Sequence, residues 1–195
     1  MRLDLRFTPR LPFTLWCEAV AGFILKEFFV AEEESTGIDQ KTSSYLRELN
    51  RRGFFRADPG ELLIVPGEGR LRAEKVILKG LGLREELTLD AYLGYALELG
   101  AVIRSLRIQS FAVKIPVLFG AERYADQIEK SVCQIISPFL EHDRGDRGDV
   151  ITAVFCLDHS GFKEIEKLDE ALKEQLVESV PMSMAIEPFS GPGEI

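Results

Sequence analysis

Asp158-His159-Ser160 places an acid, an imidazole and a hydroxyl in a row, the residue types of a nucleophilic relay. Chain neighbours rarely face one another as a relay, and no Gly-x-Ser-x-Gly elbow presents a serine elsewhere. An unrecognised hydrolase built on Asp158 and His159 therefore has little support, and a capping or loop role fits these residues better. The other histidine, His142, lies apart, and no His-Glu-x-x-His pair occurs. A zinc site needs clustered thiolates and imidazoles. Cys17, Cys133, Cys156 and the two histidines are scattered, so no metal ligands are expected. Three cysteines without a Cys-x-x-Cys spacing read as buried thiols in a reducing cytoplasm.

Two glycine-rich stretches raise the question of phosphate binding. Gly80-Leu81-Gly82 follows an apolar strand pattern and precedes a helix, where strand ends and helix N-termini attract phosphate. A dinucleotide fingerprint needs a third glycine at 85, where Glu85 and Glu86 instead supply carboxylates that repel a pyrophosphate. A tight turn with close backbone packing is the simpler account. Gly67-Glu68-Gly69-Arg70 lacks the Gly-Lys-Ser/Thr ending of a P-loop. Gly67, Gly80 and Gly82 nevertheless stand as the candidate ligand loop, with no cofactor identified.

Charge offers a third possibility. The 195 residues carry net charge −8, which opposes non-specific nucleic-acid binding. Residues 41–84 hold ten Lys/Arg against five Asp/Glu, leaving −13 for the remainder. Arg47, Arg51, Arg52, Arg56, Arg70, Arg72 and Lys75 form a candidate basic patch for phosphate, nucleic acid or an acidic partner. A charge run is more often a solvated face. Phe54 and Phe55 between the arginines read as core anchors rather than stacking platforms. Arg144-Gly145-Asp146 and Arg147-Gly148-Asp149 read as a solvated loop.

The elements that must position these residues follow from periodicity. Leu3–Phe7 alternates as a half-buried strand, and the mostly apolar run at 18–25 suits a buried one. Arg2, Arg6 and Arg10 before an apolar stretch mimic a secretory signal, but Glu18 splits that stretch, which reads as part of the fold. Residues 31–36 read as an acidic turn. Ile38, Tyr45, Leu46 and Leu49 mark a helical face that Gly53 stops.

Further strands are predicted at 61–65, 75–79, 110–115 and 150–157. Helices are predicted from Thr88 as N-cap to Leu106, over 121–139 with a kink or end near Ser137 imposed by Pro138, and over 162–176. The alternation favours an α/β layered domain with a largely parallel sheet. One domain over residues 1–180 and a tail over 181–195 are expected. The longest stretch without a charge, 131–140, is ten residues, against about 20 for a membrane span.

Glu61-Leu-Leu-Ile-Val-Pro-Gly67, Ala73-Glu-Lys-Val-Ile-Leu-Lys-Gly-Leu-Gly82, Arg84-Glu-Glu-Leu-Thr88, the Ala/Gly-rich helix and Ser110-Phe-Ala-Val-Lys-Ile-Pro116 together resemble the N-terminal domain of the leucyl (cytosol) aminopeptidases. Gly53-Phe54-Phe55 fits more loosely, and the resemblance extends roughly over residues 15 to 160. It implies a macro-domain-like, three-layer α/β/α fold with a mixed, mostly parallel sheet. The family's catalytic domain carries an Asn-Thr-Asp-Ala-Glu-Gly-Arg signature and a lysine-rich metal-binding segment, and neither occurs here. No peptidase residue carries over, so a stand-alone, non-catalytic module is expected, with a protein partner or homo-oligomer. True macro domains bind ADP-ribose through an Asn-Ala strand end and a glycine-rich diphosphate loop, which are also missing. A nucleotide or ADP-ribose-like ligand, and nucleic acid through residues 47–75, remain the alternatives.

Overall fold

A computed structural model describes residues 1–29, 45–69, 71–140, 150–158, 172 and 181–187. The acidic turn at 31–36, Ile38, Arg70, the loop at 143–149, both histidines, Ser160 and all but Leu172 of the 162–176 helix lie outside the described residues.

The strands are β1 (Arg2–Thr8), β2 (Cys17–Ile24), β3 (Leu62–Pro66), β4 (Ala73–Gly80), β5 (Ser110–Lys114), β6 (Val150–Cys156) and β7 (Met182–Ile186). The described helices are α1 (Tyr45–Arg51), α2 (Leu89–Ser105) and α3 (Tyr124–Leu140). One sheet has the order β3-β4-β2-β5-β6-β1-β7. All its pairs are parallel except the β3–β4 hairpin. The sheet is thus mixed and mostly parallel, as expected.

Parallel strands buried on both faces explain the continuous apolar runs in β2 and β4. On one face Ala21, Ile77, Phe111, Val113, Leu5 and Phe155 meet α2 and α3 through Leu99, Ile103, Ile128, Val132 and Ile135. On the other, Ile24, Val76 and Leu78 pack with Phe28, Leu46 of α1 and Phe55.

Helix α2 begins where its sequence says it should. The Thr88 hydroxyl accepts the Ala91 N–H at 3.2 Å, satisfying one of the free donors of the first turn. Helix α3 does not end near Ser137, one of the two outcomes expected there: it continues through Pro138 to Leu140. Proline removes the N–H that would reach the Gln134 carbonyl four residues back. The Ser137 hydroxyl donates to that carbonyl at 3.4 Å, and the final turn survives.

The chain end also differs. Pro181, Pro188, Gly191, Pro192 and Gly193 suggest a tail, yet Met182–Ile186 pairs with β1 as strand β7. Met182 and Met184 pack on the core, and the Thr8 hydroxyl donates to Glu187 Oε2 at 2.5 Å. No helix among the described residues is long and apolar enough to cross a membrane.

Candidate functional site

In doubly wound sheets the crevice outside the strand carboxyl ends opens where neighbouring strands send their chains in opposite directions. Here that point lies between β2, whose chain turns toward β3 and β4, and β5, whose chain turns toward β6. The loops at 25–29, 80–88 and 115–120 surround it.

Arg84 spans the crevice. Its backbone N–H donates to Glu27 Oε1 at 2.7 Å, beside the end of β2. Its guanidinium donates to the Val117 and Leu118 carbonyls at 2.8 and 3.2 Å, beyond the end of β5. Below it, Leu81, Tyr92 and Leu118 form a small apolar cluster with Leu25, Leu87 and Phe119. Lys26 forms an ion pair with Asp58, and its N–H donates to the Gly82 carbonyl at 2.9 Å.

The loop after β5 is held from inside. Pro116 ends the strand, so the following carbonyls and N–H groups need partners outside the ladder. Gln127 of α3 supplies both kinds, donating to the Pro116 carbonyl at 2.7 Å and accepting the Leu118 N–H at 3.3 Å. Tyr124 donates its hydroxyl to the Ile115 carbonyl at 2.6 Å and accepts the Asp158 N–H at 3.1 Å. Asp158 pairs with Lys114 at 2.6 Å. Burial pushes the Tyr92 hydroxyl up to about 12, and that hydroxyl accepts from Ser131 at 3.1 Å. Among the described residues no group of three His, Cys, Asp or Glu could hold a metal ion.

The candidate glycines separate. Gly80 and Gly82 reach the crevice, but both pack on the loop at 57–59. A Cβ at Gly80 would overlap the Asp58 carbonyl oxygen, and one at Gly82 would meet Pro59 Cγ at 2.7 Å. Gly82 also has φ +76°, which favours glycine. The Cβ position of Gly80 is therefore filled by backbone of the loop at 57–58, and that of Gly82 by the Pro59 ring. Gly67 lies in the β3–β4 turn, its N–H donating to Glu74. It stands opposite Glu74 near the amino end of β4, about 20 Å from Gly80 along the strand. One ligand loop does not contain all three glycines.

The basic residues separate as well. Arg51 and Arg52 both pair with Glu48, at 2.9 and 2.6 Å. Arg47 lies over the Phe28 ring at 5.8 Å. Arg56 follows in the loop that reaches Gly80. Arg72 lies near the opposite end of β4, donating to the Thr14 carbonyl at 3.2 Å and stacking on Trp16 at 5.5 Å. Lys75 is 3.5 Å from Glu74. Among the described residues, Arg47, Arg51 and Arg52 thus lie on α1, while Arg72 and Lys75 lie at the amino end of β4. Phe55 is buried as a core anchor, whereas Phe54 is exposed, contrary to its expected role.

The contacts that Arg84, Glu27, Tyr124 and Gln127 make here are not readable from the sequence, and Asp158, a relay candidate there, is instead the partner of Lys114. Pro116 was the one local signal, since a strand that ends in proline leaves neighbouring carbonyls to be satisfied.

Cys156 is buried, while Cys17 and Cys133 are half-buried. Burial disfavours the thiolate. It pushes Cys17 and Cys133 from 9.0 up to about 11, and Cys156 up to about 12. In the unfolded chain the thiols ionise near 9.0, while the folded ones stay neutral. Their support for folding is complete below 9.0 and is lost as pH rises through about 12. Denaturant melts should show stability falling over that window, less steeply in Cys156→Ala. A thiol reagent at neutral pH should label Cys156 only on unfolding. Immediate labelling of Cys156 in the native protein would contradict this account.

None of the curated protein sequences matches this chain significantly. Solved structures do. A tomato leucine aminopeptidase variant aligns at TM-score 0.66 and 14% identity over 88% of this chain, which covers 35% of that enzyme. An Oceanobacillus iheyensis macrodomain variant aligns at TM-score 0.58 and 13% identity, over 87% of this chain and 92% of that one. A Trypanosoma brucei macrodomain in complex with ADP-ribose aligns at TM-score 0.57 and 15% identity, over 88% and 68%. At such identities the likeness establishes a macro-domain-like α/β fold. The family model described as "Cytosol aminopeptidase family, N-terminal domain" matches residues 29–143, which takes in β3, β4, β5, α2, α3 and the crevice loops at 80–88 and 115–120, but not β2 or residues 25–28. With the sheet order, the Gly80-Leu81-Gly82 turn and the capped helix after it all in place, this chain belongs to the cytosol aminopeptidase family through that family's N-terminal domain.

Proposed function

We propose that this chain is a non-catalytic module that acts through protein contacts, in a regulatory or scaffolding role. The observation that carries the reading is the crevice at the ends of β2 and β5. Arg84 crosses it, and Gly80 and Gly82 pack against the loop at 57–59, so the protein's own groups occupy the positions a phosphate cradle needs. The sequence also lacks the family's metal-binding segment and catalytic signature. The family's cytosolic description supports a cytoplasmic setting.

A second reading is favoured by the ADP-ribose complex of the T. brucei macrodomain: a small nucleotide-like ligand at the same strand ends. Two assays separate the readings. A thermal-shift panel with ADP-ribose and nucleotides should be flat, and aminoacyl amides should not be cleaved with zinc or manganese present. Saturating ligand at 100 times Kd would add about 2.7 kcal/mol of stability. A shift of that size, or metal-dependent turnover, would overturn the proposal.

A further inference from the structure

Strand β3 is the outermost strand beside β4, and its five residues, Leu-Leu-Ile-Val-Pro, carry no charge. Edge strands are normally guarded by charges, bulges or covering loops, because their free N–H and C=O groups template pairing with another chain. Here Leu62 is 38% exposed and Ile64 42%. Among the described residues no strand pairs with the outer side of β3.

The ladder shows which groups face outward. Leu62 opposes Lys79 and Pro66 opposes Lys75. The Gly80 N–H donates to the Glu61 carbonyl, and the Gly67 N–H donates to the Glu74 carbonyl. Odd-numbered residues therefore turn their backbone groups toward β4, and Leu62, Ile64 and Pro66 turn theirs outward. The open edge offers two N–H donors, at Leu62 and Ile64, and three carbonyls. Pro66 lacks an N–H, which places it on the one side of the strand that tolerates it.

We propose that β3 pairs antiparallel with β3 of a second copy of this chain, around a two-fold axis at Ile64, joining the two sheets edge to edge. The inference rests on the reading that this chain acts through protein contacts, and it names the partner. In this register the two Ile64 residues exchange both of their backbone hydrogen bonds. Each Leu62 N–H meets the Pro66 carbonyl of the second copy, and the missing Pro66 N–H is the only gap.

Side chains agree with the register. Leu62 and Ile64 lie on the face that carries α2, with Tyr95 of α2 at 3.4 Å from the Cβ position of Gly60. Pairing makes one apolar strip from both copies on that face, while Leu63 and Val65 extend the opposite core. Charge agrees too. Glu61 falls opposite Gly67 of the second copy, and Glu68 opposite Gly60, so no two carboxylates face each other. The Glu61 carboxylate already accepts the N–H groups of Arg56 and Asp58, at 2.8 and 3.0 Å.

An interface of this size belongs to the weak class below about 1,200 Å², so the test follows concentration. Amide hydrogen exchange and sedimentation equilibrium are run on the whole chain at low and high micromolar protein. The Leu62 and Ile64 amides should gain protection as dimer forms, while those of Leu63 and Val65, already bonded to β4, should not change. Ile64→Lys, at an exposed site, sets two ammonium groups opposite each other and should weaken the dimer by at least about tenfold. Ile64→Pro removes an outward N–H without touching the β3–β4 ladder and is the second variant. A monomer at every concentration, protection independent of concentration, or an equally tight dimer in both variants would overturn the pairing. The ligand panel for the crevice reads nothing from β3, so the two proposals fail separately.

Discussion

Gly100→Ala is expected to destabilise the fold by about 3 kcal/mol, the upper part of the range for overpacking. That corresponds to a fall in thermal midpoint of roughly 6 to 12 °C for a chain of this size. Gly100 sits where α2 crosses α3. A Cβ there would overlap the Ile135 carbonyl oxygen and press on its Cα and carbonyl carbon. All three are backbone atoms, so no rotamer change makes room, and the helices must separate. Ile103, Ile128, Val132 and Ile135 would then lose contact together. Gly94→Ala on the same helix is the control, because nothing lies within 4 Å of its Cβ position. Helix propensity alone should make that change neutral or stabilising by up to about 1 kcal/mol. Equal stability of the two variants in denaturant melts would refute the close crossing.

Phe155→Ala is expected to cost about 3–5 kcal/mol, the usual loss for a large aromatic side chain in a tight core. Phe155 is fully buried on β6 between β5 and β1 and stacks on Phe7, with ring centroids 5.6 Å apart. The cavity would open beneath the strands that carry Lys114, Asp158 and Thr8, which hold the rim at that end of the sheet. A Phe7→Ala, Phe155→Ala double-mutant cycle should show coupling of about 0.5–1.5 kcal/mol. Phe54→Ala, at an exposed ring, should stay within about 0.5 kcal/mol of the parent. A loss below about 1 kcal/mol for Phe155→Ala would mean that β6 does not pack as described.

Much of the fold was legible in the chain because it is local. Thr88 caps α2 through an N–H three residues away. The Lys75–Lys79 run is apolar on both sides because helices cover both faces of β4. Pro138 does not end α3, because its neighbour Ser137 donates to the Gln134 carbonyl that the proline leaves without an N–H. Met182–Ile186 misled because a five-residue strand between prolines has too short a pattern to stand out, and its place in the sheet depends on β1, about 180 residues earlier.

The candidate site was less legible. The two glycines at 80 and 82 were correctly placed at a strand end, but whether they cradle a ligand depends on residues 57–59, far from them in the chain. Gly67 shares their residue type and lies at the opposite end of the sheet. The arginines look like a patch when counted along the sequence. In space Glu48 pairs with two of them, and Arg72 stacks on Trp16 near the amino end of β4.

By itself, the sequence determined an α/β domain of the cytosol aminopeptidase N-terminal kind, without the catalytic signature. Strand runs, caps and turn glycines are each set within a few residues, and such information survives in one dimension. Tertiary structure alone decided that Arg84 bridges β2 to β5, that Gln127 and Tyr124 hold the loop after β5, and that the uncharged edge of β3 faces outward. Each of these depends on which carbonyls lack a partner once the sheet has formed, and the strand order settles that.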